Sequence, residues 1–284
     1  MKLLVDSGST KADWIAINDS GTILFTTQTA GLNPEILKED QILERLNETF
    51  ELKQNKEKVS HIYFYGAGCG SDRMKIYLSK VLKSYFANST EIAIHEDTYA
   101  AAYATAHNRE KSIVCILGTG SNCSYFDGTH LHQKVQSLGY IVMDDCSGNQ
   151  LGRRLIREYY FNKMPSNLAS VFESEYDLDA DVIKQHLYKE QNPNAYLATF
   201  ARFLIENKQD PFCQKIIFEA IEDLINYYIT QFDNCKEIPI HFVGSIAFNT
   251  KEELKTVFEK HELTLGNVIQ KPIDGLIQYH LLYE

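Results

Sequence analysis

Five features are missing from this 284-residue sequence, and each absence narrows what the protein can be. There is no Cys-x-x-Cys pair. The cysteines (Cys69, Cys115, Cys123, Cys146, Cys213 and Cys235) are scattered, which reads as reduced, mostly buried thiols and not as a disulfide framework or zinc site. There is no cluster of Lys or Arg, and 28 basic against 38 acidic residues leave a net charge of −10, so neither nucleic acid nor a membrane surface is an expected partner. No apolar run approaches the roughly 20 residues of a membrane-spanning helix. The first residues, with one Lys and three apolar side chains before Asp6, do not form a secretory signal. Finally, no Pro- or Gly-rich linker divides the chain, so two packed lobes with a hinge near residue 108 are expected. With 44% hydrophobic and 23% charged residues the composition is globular, and the expectation is a cytoplasmic protein.

What is present is organised around the first nineteen residues. Leu3-Leu4-Val5 ends in Asp6-Ser7-Gly8-Ser9-Thr10-Lys11, followed by the alternating segment Ala12–Ile17 and a turn at Asn18–Gly21. This reads as a buried strand, a small-residue loop and an antiparallel return strand. Small side chains let backbone N–H groups approach an anion, and the hydroxyls of Ser7, Ser9 and Thr10 can donate beside them. Asp6 repels phosphate directly but suits Mg2+ that bridges to phosphates. A polar hairpin turn explains the loop equally well.

A third strand, Thr22–Phe25, leads to a helix with Asn33 as N-cap, Pro34 as first helical residue, and Ile36, Ile42, Leu43 and Leu46 on its buried face. Strand His61–Tyr65 runs into Gly66-Ala67-Gly68-Cys69-Gly70, and an amphipathic helix follows with Met74, Tyr77, Leu78, Val81, Leu82 and Tyr85 on one face. Strand Ile92–Ile94 closes in His95-Glu96-Asp97, before a small-residue helix Tyr99–His107. Then the opening theme returns: strand Ile113–Leu117, loop Gly118-Thr119-Gly120-Ser121-Asn122, return strand Cys123–Phe126 and a turn at Asp127-Gly128. This internal repeat predicts two similar domains, with Gly118 standing where the first copy has Asp6. Gly139–Met143 reads as a strand before Asp144-Asp145-Cys146-Ser147-Gly148. Helices are expected at 150–161, 179–189, 194–207, 212–232, 251–260 and 274–283, and strands at Ile238–Val243 and Val268-Ile269.

Ligands gather at the carboxyl ends of parallel strands, and six polar loops in this sequence follow strands. Asp97 ends a strand and precedes small residues, which suits a general base for an attacking hydroxyl in phosphoryl transfer; it also suits a plain helix cap. Asp144 and Asp145 read as a metal site, an acceptor for sugar hydroxyls or a solvated turn. Lys11 meets phosphate or water, and His95 lacks a zinc-ligand spacing. Trp14, alternating with Ile, is core.

The motifs taken in order resemble the BadF/BadG-type ATPase family of the actin, Hsp70 and sugar kinase superfamily, most closely its N-acetylglucosamine kinase branch. Asp6–Lys11 resembles the first phosphate motif, Gly118–Asn122 the second, and Gly244-Ser245-Ile246-Ala247 the adenosine motif. The resemblance implies an α/β fold of duplicated RNase H-like (actin-like ATPase) domains with mixed sheets and the active site in the interdomain cleft. Residues 1–108, completed by helix 274–284, would form one domain; residues 109–273, with a helical insertion, would form the other. It implies ATP and Mg2+ as cofactors, an amino sugar as the small-molecule partner, and a homodimer. It makes Asp97 the base and Asp6 the metal residue. Ser7, Gly8, Ser9, Thr10, Lys11, Gly118, Thr119, Gly120, Gly244 and Ser245 would meet ATP, and Asn33, Thr119, Asn122 and Asp144 the sugar. One departure is that Met143 and Cys146 stand where the family has glycine, which leaves N-acetylmuramate and glucosamine open beside N-acetylglucosamine. Two other classes share the scaffold: an ATPase activating radical dehydratases, which needs iron–sulfur cysteines, and a non-catalytic sugar or nucleotide sensor, which an intact Asp6 and Asp97 argue against.

Overall fold

Alternation at the N-terminus builds the first sheet. In strand β1 (Lys2–Ser7), Leu3 and Val5 point into one core and Leu4 into another. The return strand β2 (Lys11–Ile17) pairs antiparallel with it, and β3 (Ile23–Ala30) pairs antiparallel with β2. The computed structural model describes residues 1–8 and 11–283. Beyond β3 come α1 (Glu39–Glu48), α2 (Phe50–Asn55), β4 (His61–Gly66), α3 (Asp72–Tyr85), β5 (Glu91–Glu96) and α4 (Asp97–Thr105). Strand β4 lies parallel to β1 and β5 parallel to β4, giving the order β3-β2-β1-β4-β5. One face of this sheet buries Trp14, Phe64, Leu78 and Leu82 among α1–α3, as the spacing in α3 predicts. Each such aliphatic or aromatic side chain contributes about 1.5–3 kcal/mol on burial. The Ser71 hydroxyl accepts the Met74 N–H and fixes where α3 starts.

The helix expected from Asn33-Pro34 begins later, at Glu39. Asn33 instead nucleates a turn, in which its side-chain oxygen accepts the Glu35 N–H and its carbonyl accepts from Ile36 and Leu37. Lys38 is then extended, Leu37 takes the buried position, and Ile36 is left 70% exposed. Strand β5 and helix α4 abut directly, so His95 and Glu96 belong to the strand and Asp97 opens the helix.

A second unit repeats the scheme. Strands β6 (Ser112–Leu117), β7 (Ser121–Phe126) and β8 (Leu131–His132) form an antiparallel set. A helical stretch follows: α5 (Gly148–Tyr160), α6 (Ser166–Glu175), α7 (Ala180–Tyr188), α8 (Pro193–Thr199), α9 (Ala201–Glu206) and α10 (Pro211–Tyr227). Then come β9 (Ile240–Val243), α11 (Ser245–Asn249), α12 (Lys251–Lys260) and β10 (Leu265–Ile269). Strand β9 is parallel to β6 and β10 parallel to β9, so the order β10-β9-β6-β7-β8 matches the first sheet strand for strand. Phe172, Phe200, Phe203, Leu224 and Phe242 sit in this unit's core.

Residues Gly139–Met143 form no strand. Val142 and Met143 donate to the Gly139 carbonyl as a turn, Ile141 and Val142 stay exposed, and Arg153 takes the Tyr140 and Ile141 carbonyls. The expected helix 194–207 is two helices meeting at Phe200, and α10 ends at Tyr227 with a short 3-10 turn after it. The last helix, α13 (Ile273–Tyr283), packs on α4 and β1. Contacts thus group Met1–Arg109 with the segment from Lys271, and Glu110–Gln270 by themselves. Among the described residues no helix is long and apolar enough to cross a membrane.

Candidate active site

The first unit gathers carboxylates. Asp6 lies inside β1, one residue before its end, cross-strand from Asp13 on β2 and Tyr65 on β4. Burial, then Asp97, then Asp13 push its carboxyl up to about 7, against the pull of Lys11 and Lys271. Asp97 is the first residue of α4, with Glu96 at the N-cap position. Burial and the neighbouring Glu96 push Asp97 up to about 6, while the N–H groups of Thr98 and Asp97 hold it down. The two carboxyls therefore destabilise each other's charge. That uncovered negative charge fits a divalent cation on Asp6. Among the described residues no set of three His, Cys, Asp or Glu is placed to hold a metal ion.

The other first-unit candidates divide. Ser7 is buried, and its hydroxyl accepts the Leu32 N–H at 3.0 Å while its carbonyl accepts the Ala67 N–H at 2.9 Å, so it ties three strand ends together. Gly8 is exposed, and among the described residues the nearest atom to a side-chain carbon there would be the Lys11 carbonyl oxygen at 3.7 Å. Ser9 and Thr10 lie outside the described residues. Lys11 starts β2, and its ammonium pairs with Asp13 at 3.2 Å. Asn33 is half-buried with its amide against Gly68.

In the second unit the turn after β6 is only Gly118-Thr119-Gly120, because Ser121 and Asn122 already belong to β7. Ile116 pairs with Val243, the residue before Gly244, as Asp6 pairs with Tyr65, the residue before Gly66. The counterpart of Asp6 is thus Ile116 and not Gly118. Thr119 is exposed; Asn122 is half-buried and accepts from the Ser124 hydroxyl at 2.9 Å. Gly244 has φ +120, and a Cβ there would sit 2.3 Å from the Leu117 carbonyl oxygen, so only glycine passes. Ser245 is exposed at the start of α11.

Asp144 and Asp145 take different hydrogen-bond partners. Asp145 accepts from Gln150 and from the Tyr228 hydroxyl, whereas Asp144 is buried and accepts from Asn149 at 3.1 Å and from the Ser121 N–H. Burial raises the Asp144 carboxyl and those donors offset part of the rise. A Cβ on Gly120 would lie 2.7 Å from Asp144 Oδ2, so the turn is built around that carboxylate. Asp144 and Cys146 both take left-handed backbone, at φ 67 and 60, and Cys146 does so where the resemblance leads one to expect glycine. The sequence reading missed Asn149; the Ser147-x-x-Gln150 pattern that starts α5 was the available signal that this turn is ordered.

A model of the BadF/BadG/BcrA/BcrD ATPase family matches residues 5–277. The chain is 34% identical to a candidate N-acetylglucosamine kinase from Porphyromonas gingivalis, with 100% of this chain and 99% of that one covered at a TM-score of 0.93. A second candidate N-acetylglucosamine kinase, from Chromobacterium violaceum, is 18% identical over 98% of each chain, with a TM-score of 0.73. A ROK family glucokinase from Streptomyces griseus, 14% identical over 99% of this chain and 98% of that one, shares the fold at a TM-score of 0.62. The two mixed five-stranded sheets are therefore those of the actin-like ATPase and sugar-kinase α/β fold. From the match over nearly its whole length, the chain belongs to the BadF/BadG/BcrA/BcrD ATPase family.

Proposed function

We propose that the protein is an ATP-dependent sugar kinase whose acceptor is an amino sugar of the N-acetylglucosamine type. The observation that carries this reading is Asp97: a carboxyl pushed up to about 6 by burial and by Glu96, at the N-terminus of helix α4. A base of that strength is ionised at neutral pH yet able to take a proton. In the proposed reaction Asp97 accepts the proton of a sugar hydroxyl as its oxygen bonds to the γ-phosphorus, and the bond to the β–γ bridging oxygen of ATP breaks. Asp144 orients the sugar by accepting from one of its hydroxyls. The backbone N–H groups of the Gly118–Gly120 turn are suited to phosphate oxygens. Asp6 would hold Mg2+, which neutralises phosphate charge when bound.

The similarity to the candidate N-acetylglucosamine kinase of Porphyromonas gingivalis supports the choice of acceptor. N-acetylmuramate and glucosamine remain in the acceptor class, because Cys146 reshapes the loop beside Asp144. A cytoplasmic, dimeric enzyme accords with this reading. The dehydratase-activator reading finds little support in the thiols, since five of the six cysteines are buried and Cys235 alone is partly exposed.

The test is ADP release with Mg-ATP and N-acetylglucosamine, N-acetylmuramate, glucosamine or glucose, with Asp97→Asn as control. Turnover with an amino sugar that Asp97→Asn lowers by roughly 10²–10⁴-fold is expected. ATP hydrolysis indifferent to every sugar overturns the reading.

A further inference from the structure

Asn149 is the second residue of α5 and is fully buried, yet the catalytic scheme above gives it no part. Its backbone N–H and its side-chain amide both donate to the Thr119 carbonyl, at 3.0 and 2.7 Å. The same amide nitrogen donates to Asp144 Oδ2 at 3.1 Å. Its neighbours fix this orientation: both are acceptors, so a flipped amide would set oxygen against a carbonyl and a carboxylate. Two polar atoms around Asp144 are then left over. Asn149 Oδ1 and the hydroxyl of Ser121, whose own N–H reaches Asp144, are buried without a hydrogen-bond partner among the described residues. Each such orphan costs about 1–3 kcal/mol. A join between a loop and a helix that served only stability would not retain two of them beside one buried carboxylate.

We propose that Asn149 is a positioning residue for the acceptor: by tying the Asp144 carboxylate to the Thr119 backbone, it fixes the direction in which Asp144 accepts a sugar hydroxyl. The inference rests on the kinase reading and adds to it a residue outside the motifs that carry the family resemblance. Gly120 is the other half of the device, since any side chain there would push on the oxygen that Asn149 holds. Asn149 also helps keep Asp144 ionised, as its hydrogen bond lowers a carboxyl that burial raises.

The test compares wild type, Asn149→Asp and Gly120→Ala by calorimetric titration with N-acetylglucosamine and by steady-state kinetics with sugar and ATP varied separately. Asn149→Asp is isosteric but sets a carboxylate against Asp144. Both variants should raise the sugar Kd and KM by roughly tenfold or more, and Asn149→Asp should leave the ATP KM within about twofold. The acid limb of kcat/KM for the sugar should move to higher pH in Asn149→Asp. A folded Asn149→Asp with an unchanged sugar KM, or with both KM values and kcat altered alike, overturns the proposal. If Asn149→Asp does not fold, Gly120→Ala, which reaches the same oxygen from the loop, decides. Wild type that binds the sugar without turnover ends the kinase reading while the calorimetry still judges Asn149. Wild type that binds none of the four sugars ends both.

Discussion

The hairpins β1–β2 and β6–β7 occupy the same place in two sheets of the same order, each with a parallel strand on the other side of its first strand. The described residues around their turns sit in different surroundings. The second is laced by backbone: Gly118 donates to the Gly120 carbonyl, and Gly148 and Asn149 donate to the Gly118 and Thr119 carbonyls at 2.8 and 3.0 Å. Its carboxylate, Asp144, is satisfied by neutral donors. Beside the first turn Asp6 is raised by burial, then by Asp97 and Asp13, with Lys11 and Lys271 in opposition. One copy of the duplicated element is laced by backbone hydrogen bonds, and the other keeps an electrostatic imbalance that a cation would relieve. Duplication allows this, because two copies of one hairpin can place stability and charge on separate turns.

The comparison is broken most severely at Asp97. Losing Asp97→Asn turnover by only a fewfold would mean the charged side is not where the chemistry happens. Next comes glycine. Gly244→Ala, facing the Leu117 carbonyl at 2.3 Å with φ +120, should cost roughly 2–4 kcal/mol in a denaturant melt. Gly8→Ala should stay within about 0.5–1 kcal/mol and, if the first turn meets phosphate, raise only the ATP KM. Equal destabilisation by the two would erase the contrast between Gly244, set against a carbonyl, and exposed Gly8.

A smaller effect separates the charges. The Asp6 carboxyl is moved from 3.8 to about 7 in the folded chain, so the native state holds that proton more tightly than the unfolded state does. Ionising it therefore removes stability progressively between about pH 4 and pH 7. Asp6→Asn should melt close to wild type at pH 4 and above it by pH 7–8 in chelator. Added Mg2+ should raise the wild-type melting temperature and leave that of Asp6→Asn unmoved. A gap that narrows as pH rises contradicts the assigned sign. The smallest effect is Cys146→Gly, where relief of the left-handed backbone, worth about 1 kcal/mol, is offset by loss of a buried thiol, so the measurable change is expected in sugar preference.

Most strands were legible because their residues alternate or run apolar between turn signals; Leu3–Val5, His61–Tyr65 and Ile113–Leu117 are examples. The errors came where local signals served another purpose. Asn33-Pro34 carries the chemistry of a helix start, but the Asn33 side chain closes a turn first. Ile141-Val142 has strand propensity, yet Arg153 occupies the carbonyls that a neighbouring strand would need. Helix α6 escaped notice because only Leu168 and Phe172 are buried along it, too few to show a period. Within the site, Asp6, Asp97 and Asp144 stood out by chemistry and order. Asn149 did not, since its role comes from a contact with a residue five positions earlier and with a turn thirty positions away. The engagement of Ser7 with Leu32 was equally invisible, because a buried hydroxyl and a phosphate-facing one look alike in a sequence.

The single tryptophan of the chain is Trp14, on β2, fully buried against Phe64 with its indole N–H donating to the Thr29 hydroxyl at 3.1 Å. Indole emission is therefore a private optical channel for the first unit. Its wavelength reports solvent entry there and nowhere else, while far-ultraviolet dichroism averages over both units. Overlaying the two signals in one denaturant titration tells whether the duplicated halves melt together or in turn, without a label or a mutation.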